Sequence, residues 1–150
     1  MSQTPKLDAL KIALKNMGAA KARVGWFDSA KYESGVPVAY VATIQEYGWG
    51  PIPPRPYIRP TVVEKRTAWA TTGAKMAKRA LTANMPPRAA LEAVAEAARG
   101  DIAKAISAIT EPALAEATLQ ARRAHNLTSE KPLVASGLLL ATLTTQVTDK

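Results

Sequence analysis

The chain has 150 residues, enough for one domain with a real core and short for two. Hydrophobic residues make up 47%, only 5% is aromatic and there is a single Phe, so an alanine-rich, closely packed helical core is favoured over a β-sandwich. The absence of cysteine excludes disulfides, thiolate metal sites and cysteine nucleophiles, while the formal charge of +8 attracts nucleic acid, anionic membranes or acidic proteins without choosing among them.

Leu7, Leu10, Leu14 and Met17 form one apolar stripe and predict a first amphipathic helix over about residues 4–17, with Gly18 as its stop. Met1 to Lys15 carries no continuous apolar core, so no secretory signal is expected there. Ala22 to Phe27 is β-branched and aromatic and predicts a strand. Asp28 to Pro37 reads as a loop or hairpin tip. Val38 to Tyr47 fits strand or helix, but Val38, Val41 and Ile44 recur at helical spacing and Gly48 would end a helix.

Gly48 to Pro60 is the most unusual segment and holds five of the 11 prolines. Proline fixes φ and lacks an amide donor, so a stiff extended loop is expected and not a regular helix. A long helix should then run from Thr61 to Leu81, with Val62, Trp69, Met76 and Ala80 on its apolar face. Asn84 to Pro87 breaks it, and Pro86 or Pro87 opens the next helix, whose stripe is Leu91, Val94, Ala98, Ile102, Ala105 and Ile109. Gly100 would mark a bend in that helix. Glu111-Pro112 should start a short helix through about Arg123, followed by a polar, flexible linker over 124–132. Ser136 would cap a short helix through Leu140. Thr142 to Val147 alternates and predicts a final strand, able to pair with 22–27 and close a small sheet on which the helices pack. The expected fold is α+β: a small antiparallel sheet packed with several amphipathic helices, one of them long and central, in a single domain.

Catalytic chemistry finds little footing. The one histidine, His125, has no carboxylate or cysteine around it in sequence, and no zinc-protease, phosphate-cradling or nucleophile-elbow motif occurs. Glu33 and Glu46 are too isolated to suggest paired acid–base work. Arg99-Gly100-Asp101 spells an adhesion tripeptide inside a predicted helix, and Asn126-Leu127-Thr128 is a glycosylation sequon with no signal to deliver it. The longest apolar run near the end, Leu138 to Ala141, is too short to cross a bilayer. A non-enzyme without cofactor or metal, away from the membrane, is the expectation.

The positive signal lies in Gln45 to Pro60. Tyr47, Trp49 and Tyr57 are rings able to anchor an interface, and Arg55 and Arg59 are fork-shaped donors for carboxylates. Pro53 and Pro56 stiffen the segment before binding, which lowers the entropy lost on association. Glu46, Tyr47, Trp49, Pro53, Arg55, Pro56, Tyr57 and Arg59 are therefore the candidate interface residues, and replacing Arg55 or Tyr57 is expected to impair assembly while leaving the monomer folded. The competing possibility is that the loop packs on its own sheet and turns the chain.

Here the sequence resembles a known family. Val41-Ala42-Thr43-Ile44-Gln45-Glu46-Tyr47-Gly48, then Ile52-Pro53-Pro54-Arg55-Pro56-Tyr57-Ile58-Arg59-Pro60, is similar to a signature of the tail-completion or neck proteins of tailed bacteriophages, also described as virion morphogenesis or minor tail components. Lys131-Pro132-Leu133-Val134-Ala135-Ser136-Gly137-Leu138-Leu139 resembles their C-terminal motif, and Leu114, Thr118 and Arg122-Arg123 occupy the place of their short helix. The likeness covers residues 38–62 and 112–147. Two departures stand out: Ala135 replaces the usual acidic residue, and Tyr57 the commoner Phe. The resemblance implies an α+β fold and a virion protein at the head–tail junction, assembled in the host cytoplasm. It also implies a ring, expected to be hexameric, that meets the tail-tube protein and the head–tail connector or stopper and passes DNA through a basic lumen. A basic, non-specific nucleic-acid-binding accessory protein is the alternative.

Overall fold

The computed structural model describes residues 8, 11, 12, 15, 20–27, 29–82, 86–127, 129, 130, 132, 133 and 137–149. It is an α+β fold. In chain order its elements are β1 (Ala20–Gly25), α1 (Val38–Tyr47), α2 (Ile58–Thr82), α3 (Pro87–Ala108), α4 (Glu116–Ala124), α5 (Leu138–Ala141) and β2 (Thr144–Asp149). The stripe Leu7, Leu10, Leu14 and Met17 and the cap at Ser136 lie outside the described residues; Asp8, Lys11, Ile12 and Lys15 are helical.

The single domain expected from length divides into two compact units, each assembled from separated stretches of chain. The first comprises residues 1–24, 65–98 and 145–150. Its two strands form an antiparallel pair, as the alternating C-terminal segment predicts. Arg88 donates to the Val147 carbonyl at 2.6 Å and Thr145 to the Glu96 carboxylate at 2.9 Å, so β2 is fastened to α3. Among its described residues, Ala80, Ala90, Ala95 and Ala98 are the buried hydrophobic ones. Small side chains let helices approach closely: a Cβ added at Gly73 of α2 would stand 3.2 Å from Val94 of α3. The stripe expected on α2 holds only in part, since Ala80 is buried, Trp69 and Met76 are half-buried and Val62 is exposed.

The second unit comprises residues 25–64 and 99–144. Val38, Ala42, Tyr57, Ile102, Ile106, Leu133, Leu139 and Leu143 are buried in it. Helix α1 packs on α5, and Trp26 donates its indole N–H to the Leu139 carbonyl at 2.8 Å. Gly100 does not interrupt α3, which runs unbroken as helix from Pro87 to Ala108.

Several boundaries differ from the sequence reading: β1 is Ala20–Gly25 where the sequence predicts 22–27, and β2 is Thr144–Asp149 where it predicts 142–147. Helix α2 begins at Ile58 and not at Thr61, because a proline in the first turn removes an amide that has no intrahelical partner anyway. Residues 112–115 are not helical, and the Pro112 and Ala113 carbonyls are taken up by Arg55 as described below. The stretch expected to be a flexible linker is tied to α4. Asn126 has φ 56, the Leu127 amide bonds back to the Arg122 carbonyl at 2.9 Å, and Arg122 donates to the Ser129 carbonyl at 2.7 Å. The first two features make a Schellman-type stop with asparagine in the left-handed position.

After α1, Trp49 and Ile52 exchange both main-chain hydrogen bonds across Gly50-Pro51. Positive φ at Gly50 followed by proline has the sign pattern of a type II′ turn. Gly48, with φ 79, also closes α1, and a Cβ there would lie 3.0 Å from the Ile52 carbonyl and from Pro54. Gly50→Ala carries the cost of an alanine at positive φ, about 1–2 kcal/mol, and Gly48→Ala a larger one, because φ 79 with ψ 158 is a region adopted almost only by glycine. Only Gly48→Ala adds a clash with main chain, so urea unfolding should place it at least about 1 kcal/mol below Gly50→Ala.

A candidate protein interface on a buried ionic frame

Helix α2 opens with Tyr57-Ile58-Arg59-Pro60 and has no serine, threonine, aspartate or asparagine before it to cap its free amides. The cap comes from another element. The carboxylate of Glu46, one residue from the end of α1, accepts the Tyr57 amide at 2.7 Å and the Ile58 amide at 2.9 Å on one oxygen. The other oxygen accepts the Arg59 amide and the Arg59 Nε–H, both at 3.0 Å. The fourth opening position is Pro60, which has no amide to satisfy. Arg59 also donates to the Glu46 main-chain carbonyl at 3.0 Å. Each helix end thus receives the charge its dipole favours: an anion at the start of α2, a cation at the end of α1.

Burial alone would raise the pKa of Glu46. Hydrogen bonds from the Ile58, Tyr57 and Arg59 amides and from the Arg59 side chain outweigh it and hold the carboxyl below its ordinary range. The amides carry most of this stabilisation, because the Arg59 side chain is half-exposed and its charge is screened.

Arg55 is 4% exposed. Its Nε–H donates to the Pro112 carbonyl at 2.7 Å, and its terminal nitrogens donate to the Ala113 carbonyl at 3.0 Å and to the Gln45 side chain at 3.3 Å. The Arg55 amide also reaches the Gln45 carbonyl at 2.7 Å. Tyr57 is 1% exposed, packs edge-on against Trp26 with ring centres 6.0 Å apart, and donates its hydroxyl to the Ala42 carbonyl at 2.9 Å. Burial, then the negative charge of Glu46 and the proximity of the Tyr32 phenol, raise the Tyr57 pKa, so the hydroxyl stays a donor.

The eight interface candidates therefore part into two groups. Glu46, Arg55 and Tyr57 face inward and hold the 48–60 segment against α1 and residues 112–113; they build the frame, contrary to the expectation that Arg55 and Tyr57 matter to assembly alone. Tyr47, at 61% exposed, and Trp49, at 69%, face solvent together with Pro56 and Arg59, while Pro53 is half-buried. The Arg59 guanidinium lies 4.5 Å over the Tyr47 ring, which joins the two in one surface element. The sequence reading missed Tyr40, Val62 and Val63, which are also exposed. Tyr40, Thr43 and Tyr47 recur at i, i+3 and i+7 on α1, a signal that marks one outward face once the opposite residues Val38, Ala42 and Glu46 are known to be buried. Among the described residues, five of the six exposed large hydrophobic residues fall between positions 40 and 63.

Among the described residues there is no group of three or more His, Cys, Asp or Glu able to hold a metal, and no helix is long and apolar enough to cross a membrane. His125 is exposed in the turn after α4. No family model, no curated protein and no solved structure matches the chain.

Glu46→Gln should destabilise the fold by about 3 kcal/mol, because a carboxamide nitrogen replaces an acceptor among amide donors. The pH dependence has a definite sign. A depressed folded pKa means that the contribution is whole above the ordinary carboxylate range and is lost as pH falls through the lowered value. Thermal unfolding measured from neutral to acid pH should show a steeper loss for the parent chain than for Glu46→Gln. Arg55→Ala should lower the unfolding free energy as well, by about 3 kcal/mol, through three orphaned oxygens and a cavity.

Proposed function

We propose that the chain is a structural virion protein of a tailed bacteriophage, a neck, tail-completion or terminator subunit at the head–tail junction, acting by contact and not by catalysis. The observation that carries the proposal is the exposed set Tyr40, Tyr47, Trp49, Val62 and Val63 with Arg59, displayed on a segment held rigid from beneath by Glu46 and Arg55. Exposed rings on a pre-ordered frame are what a protein contact uses, since little entropy remains to be lost. The motifs in residues 38–62 and 112–147 supply the class of assembly, a ring between connector and tail tube.

Light scattering after size exclusion tests this, with and without a tail-tube protein. The parent chain should form a closed oligomer, alone or on the tube. Trp49→Ser and Val63→Asp should keep the parent unfolding midpoint and weaken assembly by roughly 30-fold or more, the effect of losing an interface anchor worth about 2 kcal/mol. A strict monomer that binds neither tube nor connector protein would defeat the proposal.

A second reading, contact with DNA, is favoured by a separate observation. Lys75, Lys78 and Arg79 line one cleft along α2 with Thr72 and Thr82. Basic side chains and hydroxyls in one cleft suit a phosphate backbone, and such binding needs no sequence motif. Gel retardation of random duplex DNA at low salt should be abolished as salt rises. The triple change of Lys75, Lys78 and Arg79 to Gln should flatten the log–log salt slope by roughly 2–3. A parent chain that retards no DNA at low salt would remove this reading.

A further inference from the structure

A cleft of about 310 Å³ lies in the unit that contains α1, bounded by Ile52, Pro53, Leu114 and Leu133 and by Arg55 and Arg122. Arg55 is buried, yet its three hydrogen bonds all go to neutral oxygens. One N–H on each terminal nitrogen remains, and among the described residues no carboxylate pairs with it. Buried charges in proteins are as a rule paired, so a cation left to carbonyls is an incomplete arrangement. Arg122 brings a second positive charge to the same cleft, although it also donates to the Ser129 carbonyl. Burial, and then the charge of Arg55, push the Arg122 pKa below its ordinary value, as expected for two guanidiniums that feel each other.

Among the described residues, the nearby acids do not pair with Arg55. Glu111 accepts the Ala113 amide at 3.2 Å, while Glu116 and Glu130 pair with Arg123. The apolar walls reduce screening and concentrate the positive field in the cleft. They also suit an aliphatic side chain better than a hydrated sugar–phosphate backbone, and a free N–H on each terminal nitrogen suits the two oxygens of a carboxylate.

We propose that this cleft is a docking pocket for a partner protein's acidic segment: a carboxylate side chain received by Arg55 and Arg122, with a neighbouring aliphatic side chain against Ile52, Pro53, Leu114 and Leu133. It is distinct from the Tyr47–Trp49 surface, and the cleft takes such a segment whether or not the chain closes into a ring.

Fluorescence anisotropy with the full chain tests it. The probe is a labelled peptide alternating leucine and aspartate, compared with the same peptide carrying asparagine in place of aspartate. The acidic peptide should bind at least roughly ten-fold more tightly, a difference of about 1.4 kcal/mol, and the preference should shrink as salt rises. Arg122→Gln should remove most of the preference. Thr118→Asp, at an exposed position lining the cleft, should block the peptide by placing a carboxylate there, and it serves independently if Arg122→Gln disturbs the turn at Ser129. Equal binding of the two peptides overturns the proposal, as does undiminished acidic binding in a folded Thr118→Asp chain. Displacement of the peptide by an equal concentration of single-stranded oligonucleotide also overturns it and assigns the cleft to phosphate.

Discussion

A single carboxylate joins two helices whose sequences alone would leave their ends open. Glu46 sits at the last turn of α1, and its two oxygens meet every amide that the start of α2 presents. Arg59 returns a cation to the α1 carbonyl end. Such exchange is stronger than a surface ion pair, because main-chain amides neither lose rotamer freedom nor drift away from the acceptor. The Gly48–Tyr57 segment is therefore pinned at both ends. Its turn at Gly50-Pro51 and the anchoring of Arg55 on residues 112–113 complete the frame.

That frame explains how a loop with many prolines can be both buried and displayed. Its inward side chains are polar or aromatic, and no buried side-chain polar atom among the described residues is left without any partner. Its outward side chains, Tyr47 and Trp49, are left to solvent at the cost of exposed apolar area. The division follows from length of reach. Arg55 and Glu46 are long enough to bridge elements, while Trp49 stands at the hairpin bridge, where the chain has turned away from the core.

Much of the architecture was legible in the sequence. Helical spacing decided Val38–Tyr47, alternation decided β2 and its pairing with β1, and proline at the helix start placed α3. What escaped were features set by long-range partners. The non-helical course of 112–115 depends on Arg55, more than 50 residues earlier. The early start of α2 depends on Glu46, which looked like an isolated acid because its partners are amides and leave no mark in composition. A clue was present: a long helix beginning Tyr57-Ile58-Arg59-Pro60 has no local cap and must find its acceptor elsewhere. For the candidate interface, residue type alone marked both framing and surface residues, since arginine and tyrosine serve either purpose.

The partners of Glu46 and Arg55 have a consequence for how this fold tolerates sequence change. Both side chains bind mostly main chain: amides at 57–59, carbonyls at 112 and 113. Residues at those receiving positions can vary in identity without breaking the bond, and no compensating substitution can rescue a lost glutamate or arginine. Among relatives, positions 46 and 55 would therefore stay constant while showing little co-variation with the residues they hold, so correlated-change methods would pass over the contacts on which this unit most depends.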